Sequence, residues 1–176
     1  MLKFKKEKKT TASDDTVQFV TFHVGAEEYG LNINAIKEVV RPHKVTPLPR
    51  MPEFVEGVIN LRGVIIPMVD LRKRFGLTNV QDNPKKMRMM ITKGAVHGTS
   101  LKTPELLGLI VDGVREVLHI PQKDLEAAPA AATGKNAEFI LGMAKVADRL
   151  IILLDIRMIL TQQERAALAE AGDAQS

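Results

Sequence analysis

The chain has 176 residues, with 25 Lys and Arg against 21 Asp and Glu, and a net charge of +4. It contains no cysteine, which excludes disulfides, thiolate metal sites and cysteine nucleophiles, and no apolar run approaches the ~18 residues of a membrane helix. Six Phe, one Tyr and no Trp leave little for base stacking, and the length suits one domain, or two small joined ones, that needs no staple.

Residues 1–15 carry Lys3, Lys5, Lys6, Lys8 and Lys9 without an apolar segment, which predicts a flexible basic tail rather than a secretory signal. The next unit is expected over 16–168, with a frayed end at 169–176. Val17 to Val24 alternates with apolar residues on both faces, the pattern of a strand buried on most of its width. A turn at Gly25 to Glu28 leads into a second strand, Tyr29 to Ile33, so the two form a hairpin. Asn34 is read as the start of a helical turn over Ala35 to Val39, because Ile36, Val39 and Val40 share one side. Pro42, Pro47, Pro49 and Pro52 then impose an extended connection.

Residues 53–75, EFVEGVINLRGVIIPMVDLRKRF, read as strand, tight turn, strand and short helix. Val58, Ile59, Val64, Ile65 and Ile66 suit a buried pleat. Gly63 permits a positive backbone angle at the turn, and Asp70 caps the helical turn that follows. A polar stretch to Lys86, a strand over Met87 to Ile91 and a long loop over 93–105 come next. Leu106 to Val111 and Arg115 to Ile120 repeat the earlier strand and turn, 121–137 is Ala- and Pro-rich and reads as a linker, and Thr161-x-x-Glu164 is a capping box opening a helix to about Ala171.

Two pairs of segments recur. EFILGMAKVADRLIILLDIRMIL, at 138–160, overlays 53–75 without a gap, so that Glu53, Phe54, Gly57, Asp70 and Arg72 recur as Glu138, Phe139, Gly142, Asp155 and Arg157. YGLNINAIKEVV, at 29–40, matches LGLIVDGVREVL, at 107–118, with Glu38 and Val39 recurring as Glu116 and Val117. Both pairs keep their order, which implies two similar half-molecules, each a small β unit closed by a short helix. Shared positions then hold the fold, and positions that break the match are candidates for function. Arg62 stands against Ala147, Asn60 against Lys145 and Pro67 against Ile152.

No chemistry of turnover is visible. His23, His43, His97 and His119 lack metal-ligand spacing, there is no phosphate-binding glycine loop or nucleophile elbow, and Asp70 and Asp155 are explained as caps of a repeated turn. Catalytic residues, metal ligands and cofactors are expected to be none. Arg62 beside a turn glycine is exposed, either as a solvated turn residue or as a binding contact, since arginine is favoured at interface hot spots.

YGLNINAIKEVV, the prolines at 47–52, EGVINLRGVIIPMVDLRKRFG at 56–76 and GLIVDGVREVL at 108–118 closely resemble the CheW family of chemotaxis coupling proteins, from about Val17 to Leu168. The same domain occurs in the histidine kinase CheA and in CheV. The resemblance implies a mostly β fold of two five-stranded SH3-like barrels around a shared core. It implies a cytoplasmic, non-enzymatic adaptor that binds the cytoplasmic tip of chemoreceptors and the CheA regulatory domain at membrane arrays. It implies no membrane insertion and no nucleic acid. In the family the receptor tip lies in a groove between the barrels, and matching positions here are Ile33, Ile36, Glu38 and Val39. Gly57, Asn60 and Arg62 complete the coupling set, and kinase contacts use the barrel ends. The length of the 93–105 loop and the Ala-rich 127–134 segment depart from the family pattern. Competing readings are a coupling protein for a CheA-like kinase controlling pili or development, a small enzyme built on Asp70 and Asp155, and a basic nucleic-acid binder.

Overall fold

A computed structural model describes residues 15–77, 83–93, 106–128 and 137–175. Eleven strands make up most of them: β1 (Thr16–Val24), β2 (Glu27–Asn32), β3 (Ile36–Val40), β4 (Val55–Leu61), β5 (Val64–Asp70), β6 (Arg88–Lys93), β7 (Leu106–Val111), β8 (Gly113–Pro121), β9 (Leu125–Glu126), β10 (Ile140–Val146) and β11 (Arg149–Leu154). Helix α1 (Leu71–Arg74) follows β5, and α2 (Gln162–Gln175) ends the described chain. The tail at 1–14, the 94–105 part of the long loop and residues 129–136 of the Ala-rich segment lie outside the described residues.

One sheet has the order β8-β1-β2-β11-β10-β9 and the other β3-β6-β7-β5-β4. Aligned, β8, β1, β2, β11 and β10 take the places of β3, β6, β7, β5 and β4. The parallel pair of each sheet falls at the same place, β2 with β11 and β5 with β7. The duplication is therefore real, and each unit is a five-stranded SH3-like sheet, one of them extended by β9. The half-molecules expected from sequence do not close on themselves, however. The first sequence repeat, β1 to β5, gives its leading hairpin to one sheet and its last three strands to the other, and β6 to β11 does the reverse. Neither repeat can bury its apolar faces alone, so the exchange joins the two units through main-chain hydrogen bonds.

The matched hairpins agree in detail. β4 pairs with β5 with a register shift between Val55 and Gly57, and β10 pairs with β11 with a shift between Ile140 and Gly142. Asp70 accepts from the Arg72 backbone N–H at 2.9 Å, and Asp155 accepts from that of Arg157 at 3.0 Å. These are the two helix-turn caps read from sequence. Gly57 and Gly142 are both buried where a Cβ would meet a backbone carbonyl, that of Thr46 in one sheet and of Glu126 in the other. Thr46 bridges to Val58 and β9 pairs with β10, so each glycine admits an outer segment against its hairpin.

The apolar residues form three clusters. Ile59, Leu61, Ile66, Met68, Met89, Ile91 and Ile110 fill the interior of the β3–β7 sheet, while Phe19, Ile120, Ala144, Ile151 and Leu153 fill the other. The largest lies between them and draws on both, with Phe22, Val24 and Leu31 on one side and Val69, Met90, Leu107 and Leu109 on the other. Both faces of β1 are thus used, as its pattern requires: Phe19 points into its own sheet's core and Val20, Phe22 and Val24 into the shared one. Phe22, Tyr29, Phe75 and Phe139 run through the shared core as successive ring pairs 6.0, 4.9 and 5.1 Å apart. Arg74 lies over Phe54 at 4.8 Å and over its repeat partner Phe139 at 5.2 Å, and donates to the Ile159 carbonyl. The capping box of α2 is formed, with Thr161 and Glu164 exchanging hydrogen bonds of 2.7 and 3.1 Å.

Three elements differ from the sequence reading. The helical turn expected over Ala35 to Val39 is instead a 3₁₀ turn over Ile33–Ala35, capped by Asn32, followed by strand β3. Pairing of β3 with β6 from Ile36 to Val40 supplies hydrogen bonds that a single helical turn cannot match. The segment read as a linker, 121–137, contains a 3₁₀ turn at Gln122–Asp124 and strand β9. Helix α2 continues to Gln175 rather than ending near Ala171.

Candidate protein-interaction site

The residues singled out from sequence converge on the two edges of the five-stranded sheet. β3 is one edge, and the β4–β5 hairpin forms the other. Leu61 pairs with Val64, leaving Arg62 and Gly63 as a two-residue turn with φ of 52° and 88°. Positive φ at both positions is the type I′ geometry that matches strand twist. The Asn60 side chain accepts from the Gly63 backbone N–H at 2.8 Å and fixes the turn. From there Arg62 donates to the Glu38 carboxylate on β3, so the pair ties one edge of the sheet to the other.

Arg62 keeps 66% of its side chain exposed and Glu38 keeps 27%. An ion pair in that much water contributes little to stability, on the order of 0–1 kcal/mol. Its guanidinium retains donors for a second acceptor. Next to Glu38, Val39 is 40% exposed, unusual for a valine on a paired strand. Ile33 and Ile36 differ: both are half-buried and pack on the shared core. Gly57 is buried with φ of 142° against the Thr46 carbonyl, so its place is in the scaffold beneath the site rather than on its surface. The structure thus brings Glu38, Asn60 and Arg62 into one cluster with Val39 adjoining, and sets Ile33, Ile36 and Gly57 behind it.

Arg62 does not lack a counterpart, although Ala147 occupies its place in the second hairpin. Glu116, the repeat of Glu38, is met by Arg149 at 2.8 Å, two residues further along that hairpin. Arg149 also binds Glu28 through two donors, and Arg115 reaches Glu28 at 3.4 Å. Glu28 is buried, and burial pushes its carboxyl up, but hydrogen bonding and charge from Arg149, then the charge of Arg115, outweigh this and hold it below the ordinary value. This network escaped the sequence reading. The recurrence of Glu38 as Glu116 was the available signal, but the partner's displacement in register hid it.

The other aspartates are engaged structurally. Asp70 is raised, mainly by burial, with the cap hydrogen bond from Arg72 opposing and the charge of Glu56 adding to the rise. Asp112 accepts from Arg72 at 2.6 Å and from the Gly25 backbone at 2.7 Å, linking the end of β5 to the β1–β2 turn of the other sheet. Asp70 and Asp155, the two aspartates weighed as possible acids, cap the turns after β5 and β11, strands of different sheets.

Comparison with known proteins covers most of the chain. The family model described as the CheW-like domain matches residues 18–164. The chain is similar to "Chemotaxis protein CheW" of Treponema pallidum, 33% identical over 159 residues that cover 89% of each chain. It is similar to the protein of the same name from Klebsiella aerogenes, 32% identical over 149 residues covering 85% of this chain and 84% of that one. Among solved structures it resembles the scaffolding protein TtCheW from Thermoanaerobacter tengcongensis, with a TM-score of 0.73 and 36% identity, over 85% of this chain and 96% of that one. No helix among the described residues is long and apolar enough to cross a membrane.

Proposed function

Since the chain belongs to the CheW-like family of chemotaxis coupling and scaffold proteins, we propose that it is a non-enzymatic, cytoplasmic adaptor that couples the signalling tips of chemoreceptors to the histidine kinase CheA at membrane-bound arrays. The observation that supports this most is the placement of the residues that break the internal repeat. Arg62 and Asn60 occupy an exposed hairpin turn, and Arg62 reaches Glu38 on β3 beside the exposed Val39. An arginine that contributes little to stability yet is held at one spot by a turn and an acid is a pre-oriented contact. Ile33, Ile36 and Gly57 position it: the two isoleucines anchor the start of β3 on the core, and the glycine lets the Thr46 segment close against β4.

The test uses purified receptor signalling fragment, kinase and this protein in a receptor-dependent phosphorylation assay. Arg62→Ala is expected to melt within about 0.5 kcal/mol of the parent and to lose coupling by roughly tenfold or more, as for a charged hot-spot contact. Full coupling by a normally folded Arg62→Ala protein would remove Arg62 from the site. Failure of the parent to couple at all would remove the adaptor reading itself.

A further inference from the structure

Along the strand order, the backbone passes from one sheet to the other at two places. Between β2 and β3 it uses the 3₁₀ turn Ile33–Ala35, capped by Asn32. Between β7, which ends at Val111, and β8, which begins at Gly113, it uses a single residue, Asp112. That residue is held from both sheets. Its backbone N–H donates to the His23 carbonyl at 2.9 Å, and its Oδ2 accepts from the Gly25 N–H at 2.7 Å and from Arg72 at 2.6 Å. His23 and Gly25 belong to β1 and its turn in the six-stranded sheet, whereas Arg72 lies on α1 at the end of β5 in the five-stranded one. Arg72 and Asp112 keep only 13% and 15% of their side chains exposed, so the contact is screened little by solvent ions. The other crossing is built differently. Asn34 stands in the repeat place of Asp112, and Arg157, in the place of Arg72, turns back on its own cap, Asp155, with 56% of its side chain exposed.

We infer that Asp112 is the hinge between the two sheets and Arg72 the positioning residue that locks it, so that this one clasp sets the angle between them. The shared apolar core holds the sheets together, but apolar burial is non-directional. Charge-assisted hydrogen bonds to a mostly buried carboxylate fix direction as well as distance. A one-residue crossing also has little slack, so a rotation of one sheet against the other must be absorbed in the backbone angles of Asp112 and its neighbours, as at other hinges. The angle matters for what the molecule presents. Arg62 and Glu38 sit on one sheet, Glu116 and Arg149 on the other, and the hinge decides how these two surfaces face.

The chain has no cysteine, so two spin labels can be placed without background. Lys37→Cys on β3 and Lys145→Cys on β10 change exposed residues of different sheets. The distance between the labels is measured in the free, full-length protein by pulsed electron–electron double resonance, with the melting temperature alongside. Expected are one narrow distance peak in the labelled parent and its loss to a broad distribution in Asp112→Ala and in Arg72→Met. Asp112→Asn keeps an acceptor for Gly25 without the charge that draws Arg72. It should broaden the peak less than Asp112→Ala, and it decides the outcome if the alanine variant does not fold. Ile66→Val, in the interior of one sheet, lowers stability without touching the clasp and should keep the narrow peak. A parent-like peak in Asp112→Ala, or in Asp112→Asn where the alanine variant does not fold, overturns the inference, and a parent-like peak in Arg72→Met removes Arg72 as the lock. Equal broadening in Ile66→Val overturns it too, since lost stability alone would then move the sheets. The measurement involves neither receptor nor kinase, so the adaptor reading stands or falls separately.

Discussion

The two sheets solve one problem in two ways. Each must tie its edge strand, β3 or β8, to the hairpin at its far side, and each uses a glutamate at the same repeat position. In the five-stranded sheet Glu38 meets one arginine, Arg62, which is mostly in water. In the six-stranded sheet Glu116 meets Arg149, which is mainly occupied by the buried Glu28, with Arg115 alongside. The first arrangement is open and has spare donors. The second is closed, with four charges satisfying one another across β2, β8 and β11. Duplication therefore left one copy tied into the fold and the other open to water. The sign of each role is legible in burial rather than in residue type, since both copies are Glu with Arg.

The comparison breaks most severely at the glycines under the hairpins. Gly57→Ala places a methyl on the Thr46 carbonyl at a φ of 142°, which side chains rarely adopt. Gly142→Ala meets the Glu126 carbonyl but without a positive φ. Both should destabilise, Gly57→Ala by about 3 kcal/mol or more and Gly142→Ala by less. Chemical denaturation of both variants checks the order, and an equal or reversed ranking would show that Thr46 moves aside more easily than β9.

The closed network gives the next largest effect. Glu28→Gln leaves Arg149 and Arg115 without their buried acid. Removing one partner of a buried pair costs about 3–5 kcal/mol, and the partial exposure of both arginines lowers the expectation here to about 2 kcal/mol. The loss should depend on pH. Glu28 titrates below its ordinary value of 4.5 when folded, so its contribution is complete above that pH and disappears as pH falls through the lower folded value. Stability of the parent and of Glu28→Gln should therefore converge in acid. Parallel curves down to the acid transition would mean that Glu28 contributes by packing alone.

The parts of this fold that were legible in the sequence are those decided by neighbours along the chain. The β4–β5 and β10–β11 hairpins, their turns and the Asp70 and Asp155 caps follow from alternation, glycine placement and a capping side chain within two residues. The exchange of strands between sheets was not legible, because alternation says which face of β1 or β6 is buried and not which strand lies beside it. β3 was misread because Asn34, Ile36, Val39 and Val40 also satisfy a helical spacing, and only the pairing of β3 with β6 decides between the two. Of the site, Arg62 and Asn60 were visible as breaks in the repeat and Glu38 through the family resemblance. The meeting of Arg62 with Glu38 was not, since it depends on which strands form the two edges of the sheet.

The smallest expected effect is also the finest test of the comparison, and it lies in the two hairpin turns. Arg62 and Ala147 occupy the same turn position with φ of 52° and 57°. Alanine is thus already accommodated there once in this chain, which is why Arg62→Ala should leave stability nearly unchanged. The turns differ at the second position, where Gly63 has positive φ and Asp148 does not. The second turn is therefore of the type II′ pattern, whose first position favours glycine. A non-glycine residue in this region costs on the order of 1–3 kcal/mol, and the greater unfolded freedom of glycine returns roughly 0.5–1 kcal/mol of that. Ala147→Gly should raise stability by about 0.5–1 kcal/mol, seen as a higher denaturation midpoint with an unchanged slope. Arg62→Gly should gain similarly from its turn but lose the pair to Glu38, so its net change should be close to zero. If Arg62→Gly instead stabilises as much as Ala147→Gly, the Arg62–Glu38 pair contributes nothing to folding.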